Sequence, residues 1–341
     1  MSHELSITGD GKVEMAYLES DGKCWHGLGT PLPDNASRED WGQATNFDNW
    51  SIMEAASLFF IPEKEEVSVY EKEKILYRSD SKLPLAAVGV GYQVVQPKQV
   101  LDFFNNLIEA LGYKMCSAGI LFSGRRYWAQ AYIGTEGYVG ADDMVRDKIL
   151  LSTACDASLA TLVQRVAERV VCNNTLKIAI NEKGDRVRTT HAVQFDPDKV
   201  KTLLGINPEI FVGWTETAQL MTQVAMPETD AMDYFGRVFS LYEDMEETKD
   251  QDAITAQLER VALAQNSKTA EACFDLFSGA GLGSQLYSAK NTLWGAVNAV
   301  TEYVDHRRNT KTVDARIDSA YFGPFGRVKD RAWDEAVLMV R

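Results

Sequence analysis

With 341 residues, 45% of them hydrophobic and 25% charged, the chain has the composition of a globular protein and exceeds the usual size of one compact domain. Its net charge of −14 argues against nucleic-acid binding through the overall electrostatic field, so such a role would depend on a local basic patch. No apolar run approaches the roughly 20 residues of a membrane-spanning helix, and the N-terminal sequence MSHELSITGDGK lacks the regions of a signal peptide. We therefore expect a cytoplasmic protein without membrane contact.

Residues 1–46 are rich in glycine, proline, aspartate and asparagine and show little periodicity, which predicts an extended N-terminal arm with turns. The stretch Cys24–Asp34 (CWHGLGTPLPD) is interpreted as a buried tryptophan that anchors this irregular lead-in. Cys24 and His26 have no further ligands at a zinc spacing, and the glycines that follow lack the G-x-G-x-x-G pattern of a dinucleotide site. We expect no metal and no cofactor.

Residues 47–195 are predicted to form an α+β core. Trp50–Leu58 is predicted to be a short helix, and two strands joined by a turn at Ser79–Lys82 follow it. Pro97 suits the first turn of a helix, which continues with apolar residues at i, i+3, i+4 and i+7 spacing and ends at Gly112.

A second hairpin is predicted after this helix. Its strands are Tyr113–Phe122 and Tyr127–Gly134, and the turn between them is Ser123–Arg126 (SGRR). Lys148–Ala154 (KILLSTA) predicts another buried strand. Antiparallel β-hairpins around a single helix indicate a sheet with a helix packed on one face, which is an α+β architecture.

The stretch Arg169–Ala179 (RVVCNNTLKIA) marks a junction between two elements. The preceding segment Leu162–Val171 fits the helical and the strand period in part, and we favour a strand because it ends in a pair of asparagines. One of these asparagines is expected to cap a helix over Thr175–Ile180. No histidine is predicted beside Cys172, so nucleophilic catalysis by its thiol has little support.

Residues 196–341 are predicted to be mostly helical and to pack on the core. The longest predicted helix, Ser284–Val304, keeps an apolar stripe, and an acidic connector at Glu243–Asp252 separates two earlier helices. A turn at Gly323–Gly326 (GPFG) precedes a tail helix. The other predicted helices are Asp198–Leu204, Thr215–Val224, Thr229–Tyr242, Asp252–Ala264 and Thr269–Phe277.

The sequence contains no familiar catalytic motif. A P-loop, G-x-S-x-G and H-E-x-x-H are all missing, and the four histidines are not paired at ligand spacing. The five cysteines are widely scattered without a C-x-x-C pair, so we expect free thiols. Asp142 and Asp143 are candidates for the carboxylates of a metal-dependent nuclease, but the sequence indicates no third ligand. It therefore favours a protein that is not an enzyme and has no catalytic residues.

Basic residues cluster against the acidic background. Tyr127 and Trp128 interleave with them, and cations beside aromatic rings are what a single-stranded nucleic acid needs for phosphate contacts and base stacking. The alternative is that the arginines pair with the abundant surface carboxylates. The cations selected as candidate nucleic-acid contacts are Arg125, Arg126, Arg165, Arg169, Lys177, Arg307, Arg308, Lys311, Arg327 and Lys329.

Four stretches of the chain resemble one family when taken together. They are W-H-G-L-G from Trp25, G-Y-Q-V-V-Q from Gly91, R-V-V-C-N-N-T-L from Arg169, and the run Asn291–His306. The family is that of the phage/plasmid-like proteins with a domain of unknown function (DUF932). The resemblance implies a mobile genetic element in a bacterial cytoplasm, without an established reaction. By analogy of fold, the hairpin-and-helix core with basic strands is similar to the ring-forming phage proteins that anneal single strands without ATP.

Two functions follow as hypotheses. The first is a single-stranded DNA-binding protein of the ATP-independent, strand-annealing type, which acts as a homo-oligomer and in one form as a ring. The second is a non-enzymatic accessory protein that binds a host or phage protein through an acidic surface, either against a host defence or as a mimic of DNA.

Overall fold

A computed structural model describes residues 13–21, 29–169, 174–177, 186–196, 198–199, 208–242, 253–309, 319 and 323–340. Strands dominate its N-terminal half and helices its C-terminal half, which confirms the α+β prediction. The strands are β1 (Met15–Leu18), β2 (Thr30–Leu32), β3 (Ile52–Ile61), β4 (Glu66–Arg78), β5 (Pro84–Gly89), β6 (Lys114–Leu121), β7 (Arg126–Val139), β8 (Asp143–Ala154), β9 (Thr161–Arg169), β10 (Asn174–Lys177) and β11 (Arg186–Thr189). The helices are α1 (Arg38–Ala44), α2 (Pro97–Leu111), α3 (Pro208–Met221), α4 (Glu228–Val238), α5 (Ala253–Gln265), α6 (Lys268–Asp275), α7 (Leu293–Glu302) and α8 (Pro324–Met339).

Two sheets form the β part of the fold. The larger sheet has eight strands in the order β10-β9-β8-β7-β6-β1-β2, with β11 pairing beside β10 along the same edge of β9. Its neighbours are antiparallel except for the parallel pair β1–β2. The smaller sheet has the order β3-β4-β5. The central strands β7 and β8 reach 14 and 12 residues in length, so the larger sheet extends beyond the face that α2 covers.

The N-terminal segment is more regular than its composition predicts. Its two strands, β1 and β2, belong to the larger sheet, and a capping box between Ser37 and Asp40 starts helix α1. The stretch Cys24–Leu28 lies outside the described residues. The predicted domain boundaries at residues 46 and 195 stay a prediction.

Two predicted helices are wrong. Trp50–Leu58 does not form a helix, because Ile52–Ile61 pairs with β4 on both sides of an irregularity between Ala56 and Leu58 and becomes a strand. Thr175 does not start a helix either, since Asn174–Lys177 pairs with the edge of β9 as strand β10. Both segments are short, and in each the bonds to a neighbouring strand outweigh local helical signals. Residues 178–180 lie outside the described part of the chain.

Other predicted elements are confirmed. The β4–β5 and β6–β7 hairpins form, and α2 runs from Pro97 to Leu111 and ends at Gly112 with a φ of 70°, a left-handed conformation that suits glycine. The long predicted helix over Ser284–Val304 is shortened to α7, because residues 284–292 form turns and the Thr292 hydroxyl caps the helix by accepting the Gly295 N–H. Five of the predicted helices correspond to α3, α4, α5, α6 and α8.

Two large hydrophobic clusters share the larger sheet. One lies between the sheet and α2, whose Phe103, Phe104 and Leu107 are fully buried. The other lies among the C-terminal helices, where Trp214 stacks on Trp333 at 5.1 Å between ring centroids. Residues of β7, β8 and β9 contribute to both clusters, so the helical region packs on the distal part of the sheet. Within the described ranges, no helix combines the length and apolarity needed to cross a membrane.

Candidate functional site

The two arginines of β9 lie inside the protein. Arg165 and Arg169 share one face of the strand, as their spacing predicts, but their side chains are 0% and 1% exposed. Arg165 pairs with Asp147 of the neighbouring strand β8, and the Nε of Arg169 donates to both carboxylate oxygens of Asp143 at 2.8 and 2.6 Å. Both predicted phosphate contacts are therefore enclosed in this conformation and cannot line a groove.

The register of the sheet explains these ion pairs. Arg165 stands opposite Ile149 and Arg169 opposite Val145, so each aspartate is two residues from the position directly across. Diagonal neighbours at this distance remain within reach of a long side chain. The two aspartates are four residues apart, as are the two arginines, so β8 and β9 form two equivalent ion pairs side by side. Each ion pair neutralises charges that would otherwise be costly to bury.

Arg169 also connects the sheet to the loop that precedes α7. Its guanidinium donates to the carbonyl oxygens of Leu282 and Gly283 at 3.4 and 3.1 Å. The indole Nε1 of Trp294 donates to Asp143 at 2.8 Å, so one buried carboxylate serves two elements. The Asp143–Arg169–Trp294 cluster therefore joins β8, β9 and α7, and it has a structural explanation that needs no substrate.

The neighbouring carboxylate, Asp142, accepts hydrogen bonds from the backbone N–H groups of Tyr287 and Ser288 at 2.6 and 3.3 Å. Burial raises the pKa of Asp142, but the hydrogen bonds outweigh it and hold the pKa below its usual value. Across the described residues, no group of three or more metal-binding side chains comes together. Asp142 is thus engaged with the loop before α7 and Asp143 with Arg169 and Trp294, and in the described part of the chain the nuclease hypothesis gains no third ligand.

Asp147 differs from Asp142 in the direction of its pKa shift. Burial raises the pKa of Asp147 to about 6, more than the hydrogen bond and the charge of Arg165 lower it. The carboxyl group is therefore poised to take up a proton in mildly acidic solution.

The predicted stacking residues are also buried. Tyr127 and Trp128 have less than a tenth of their surface exposed, and the Tyr127 hydroxyl donates to the carbonyl of Val95. Arg126 lies beside them, largely buried, and donates to the Ser158 hydroxyl at 2.7 Å. Arg125 projects to solvent at the hairpin turn. The β6–β7 hairpin thus presents one of the four residues that the sequence selected there.

The remaining candidate cations lie near the C-terminus. Arg307 is exposed beside Glu302, and Arg308 places its guanidinium 4.4 Å from the centre of the Phe325 ring. Phe325 lies in the first turn of α8, and Arg327, two residues further along this helix, is exposed. Lys329 is buried and pairs with Asp305 at 2.8 Å, so it is not a surface contact. Lys311 and the side chain of Lys177 lie outside the described residues.

Sequence reasoning missed an open cleft of about 490 Å³ at the end of β5. Tyr92 and His191 stack in its wall with ring centroids 4.5 Å apart. The two ring nitrogens of His191 lie 3.0 and 3.1 Å from the carbonyl oxygens of Gln93 and Leu159, so this histidine joins three chain segments. Burial raises the pKa of the Tyr92 hydroxyl. The available signal was the G-Y-Q-V-V-Q stretch, which supplies Tyr92 and Gln93.

Comparison with known proteins identifies a family without a function. A family model described as "Domain of unknown function (DUF932)" matches residues 84–321, which is more than half of the chain. No curated protein and no solved structure matches the chain.

Proposed function

We propose that this chain, which belongs to the family described as Domain of unknown function (DUF932), is a non-enzymatic protein that binds a basic protein partner through its acidic surface. The observation that supports this proposal is the placement of the cations. Several of them are held in interior ion pairs: Arg165–Asp147, Arg169–Asp143, Lys329–Asp305, Lys148–Glu168 and Arg78–Glu14. Because each pair is neutral, the net charge of −14 resides on the rest of the molecule.

Exposed carboxylates concentrate on the hairpin formed by β3 and β4. Three of them, Glu63, Glu65 and Glu66, surround its tip. The other exposed glutamates of the hairpin are Glu54, Glu71 and Glu73. The six exposed glutamates outnumber the exposed cations of the hairpin, Lys64 and Lys72, and a surface of net negative charge attracts a basic partner and accelerates its association. A host or phage protein that normally binds nucleic acid has the required basic surface, which agrees with a DNA mimic or an inhibitor of host defence.

Capture from nuclease-treated bacterial lysate tests this proposal. The wild-type chain should retain a basic protein at low salt and release it as salt rises, because exposed charges are screened. Changing Glu63, Glu65 and Glu66 to lysine should reduce capture at least tenfold. As a control, changing Glu209 and Glu216 of α3 and Glu271 of α6, which are also exposed, to lysine should reduce capture less. Capture only from untreated lysate, in which the DNA is intact, or no capture from either lysate would count against the proposal.

A second candidate is the single-stranded DNA-binding, strand-annealing function. Arg307 and Arg327 are exposed, and the half-buried Arg308 places its guanidinium over the Phe325 ring; these cations beside an aromatic ring favour it. Anisotropy of a labelled oligonucleotide provides the test. Changing Arg308 and Arg327 to alanine should weaken binding, whereas Lys268→Ala, an exposed cation on α6, serves as the control. Equal binding by all three proteins would remove this patch as the contact surface.

The biological setting remains part of the proposal. A mobile genetic element as the source, a bacterial cytoplasm as the location and a homo-oligomer, in one form a ring, all stay predictions. The family supplies no reaction to which they could be attached.

A further inference from the structure

The outer half of the β3–β4 hairpin presents an apolar face to solvent. Leu58 stands opposite Val69 and Phe60 opposite Val67, and residues directly opposite in an antiparallel pair project from the same face. These four side chains are 60%, 55%, 58% and 60% exposed, respectively. Together they leave on the order of 400 Å² of apolar surface, which is within the range of the largest patches on monomeric proteins, and such patches often have a function.

The outer edge of β3 is also unoccupied over most of its length. Its first residue, Ile52, exchanges two hydrogen bonds with the side-chain amide of Gln96, at 2.8 and 3.0 Å, so its backbone faces away from β4. By the two-residue period of a strand, the backbones of Glu54 and Ala56 face the same way. In the described part of the chain, no strand pairs with this edge.

Charge is divided unequally between the two strands of the hairpin. β3 has a single charged residue, Glu54, and Lys74 of β4 neutralises it at 2.7 Å. β4 carries six charged residues, the glutamates Glu66, Glu71 and Glu73 and the cations Lys72, Lys74 and Arg78. Edge strands of monomeric proteins are normally protected by charges or proline, and β3 has neither proline nor an unpaired charge. This edge suits a neutral strand rather than a basic surface.

We propose that two copies of this chain pair through their β3 strands in antiparallel orientation and so join their small sheets into one sheet of six strands. A strand paired with its own copy is self-complementary about a two-fold axis. The glutamates of β4 stay one strand, about 4.8 Å, behind the contact in each copy, which limits repulsion. Antiparallel pairing also places the apolar outer half of each β3 strand beside the root of its partner's hairpin. This inference is independent of the partner proposed above.

Light scattering after size-exclusion chromatography tests the pairing with the full chain. The mass should rise from 38.0 kDa toward twice that value between about 1 and about 100 µM protein, since an interface of this size is expected to be weak. Leu58→Lys and Ala56→Pro should each hold the mass at that of a monomer. The proline removes an N–H that faces away from β4, so the hairpin itself should persist. Leu258→Lys, at a leucine of matched 58% exposure on α5, should still dimerise.

Hydrogen exchange of the wild-type chain gives a second readout that requires no variant. The amides of Glu54 and Ala56 should become protected by at least tenfold as the concentration rises through the dimerisation range. A monomeric mass at every concentration, a dimer that both β3 variants retain, or exchange at these amides that does not depend on concentration would overturn the proposal.

Discussion

Replacing Asp143 by alanine removes the acceptor shared by Arg169 and Trp294. The pair is fully enclosed, with side chains 0% and 1% exposed, so the change leaves a guanidinium in the interior without its counter-charge. Breaking a buried ion pair by removing one partner costs about 3–5 kcal/mol. The indole N–H of Trp294 loses its acceptor as well, but the two losses belong to one network and are not additive. We therefore expect a total near the upper end of that range.

Thermal and denaturant unfolding measure this loss directly. A cost of this size should lower the melting temperature by on the order of 10 °C. Asp275→Ala, which removes an exposed carboxylate at the end of α6, is the matched control and should change stability by less than about 0.5 kcal/mol. The double variant Asp143→Leu with Arg169→Met should recover part of the loss, because it removes both charges. A loss below about 1 kcal/mol for Asp143→Ala would refute the burial of this pair.

Two further predictions concern pH and thiol reactivity. The carboxyl carbon signal of Asp147 should titrate in NMR with a midpoint near 6. This folded pKa lies above the unfolded value of 3.8, so the protonated group stabilises the fold. Its stabilising contribution is complete below pH 3.8 and is lost as the pH rises through about 6. A midpoint below 4 would show that the charge of Arg165 outweighs burial. Burial raises the pKa of Cys116 and Cys155 to about 12. Peptide mapping should therefore find both thiols unmodified by alkylating reagents at pH 8 until the chain is unfolded. Rapid labelling of these thiols in the native protein would contradict this prediction.

The sequence predicted the orientation of the β9 arginines but not their environment. A spacing of four places Arg165 and Arg169 on one face whatever that face meets. The aspartates that neutralise them are 18 and 26 residues away along the chain, and only the β8–β9 register brings them within reach. Local spacing therefore determined the side of the strand, while pairing with β8 determined that this side is interior.

The two wrong helices have a related cause. Ile52–Ile61 and Asn174–Lys177 are strands because a neighbouring strand offers hydrogen bonds, which no local pattern encodes. In contrast, α2 was predictable in type and extent because proline, an apolar stripe and a terminal glycine agree over 15 residues. The exposed apolar face of the β3–β4 hairpin could not be recognised from sequence, because leucine and phenylalanine, the residues at positions 58 and 60, are usually buried in a core.

The salt dependence of single-stranded DNA binding tests most directly whether the buried ion pairs remove cations from the surface and so leave it acidic. If only the exposed Arg125, Arg307 and Arg327 and the half-buried Arg308 can contact phosphates, the slope of log affinity against log salt is no steeper than about −3. That slope corresponds to about a 50-fold loss of affinity between roughly 50 and 200 mM salt. Ten contacts, as many as the sequence selected, would give a slope of about −7 and a loss on the order of 10⁴-fold. We predict the shallow slope or no binding at all; a slope near −7 would contradict the buried assignment of these cations.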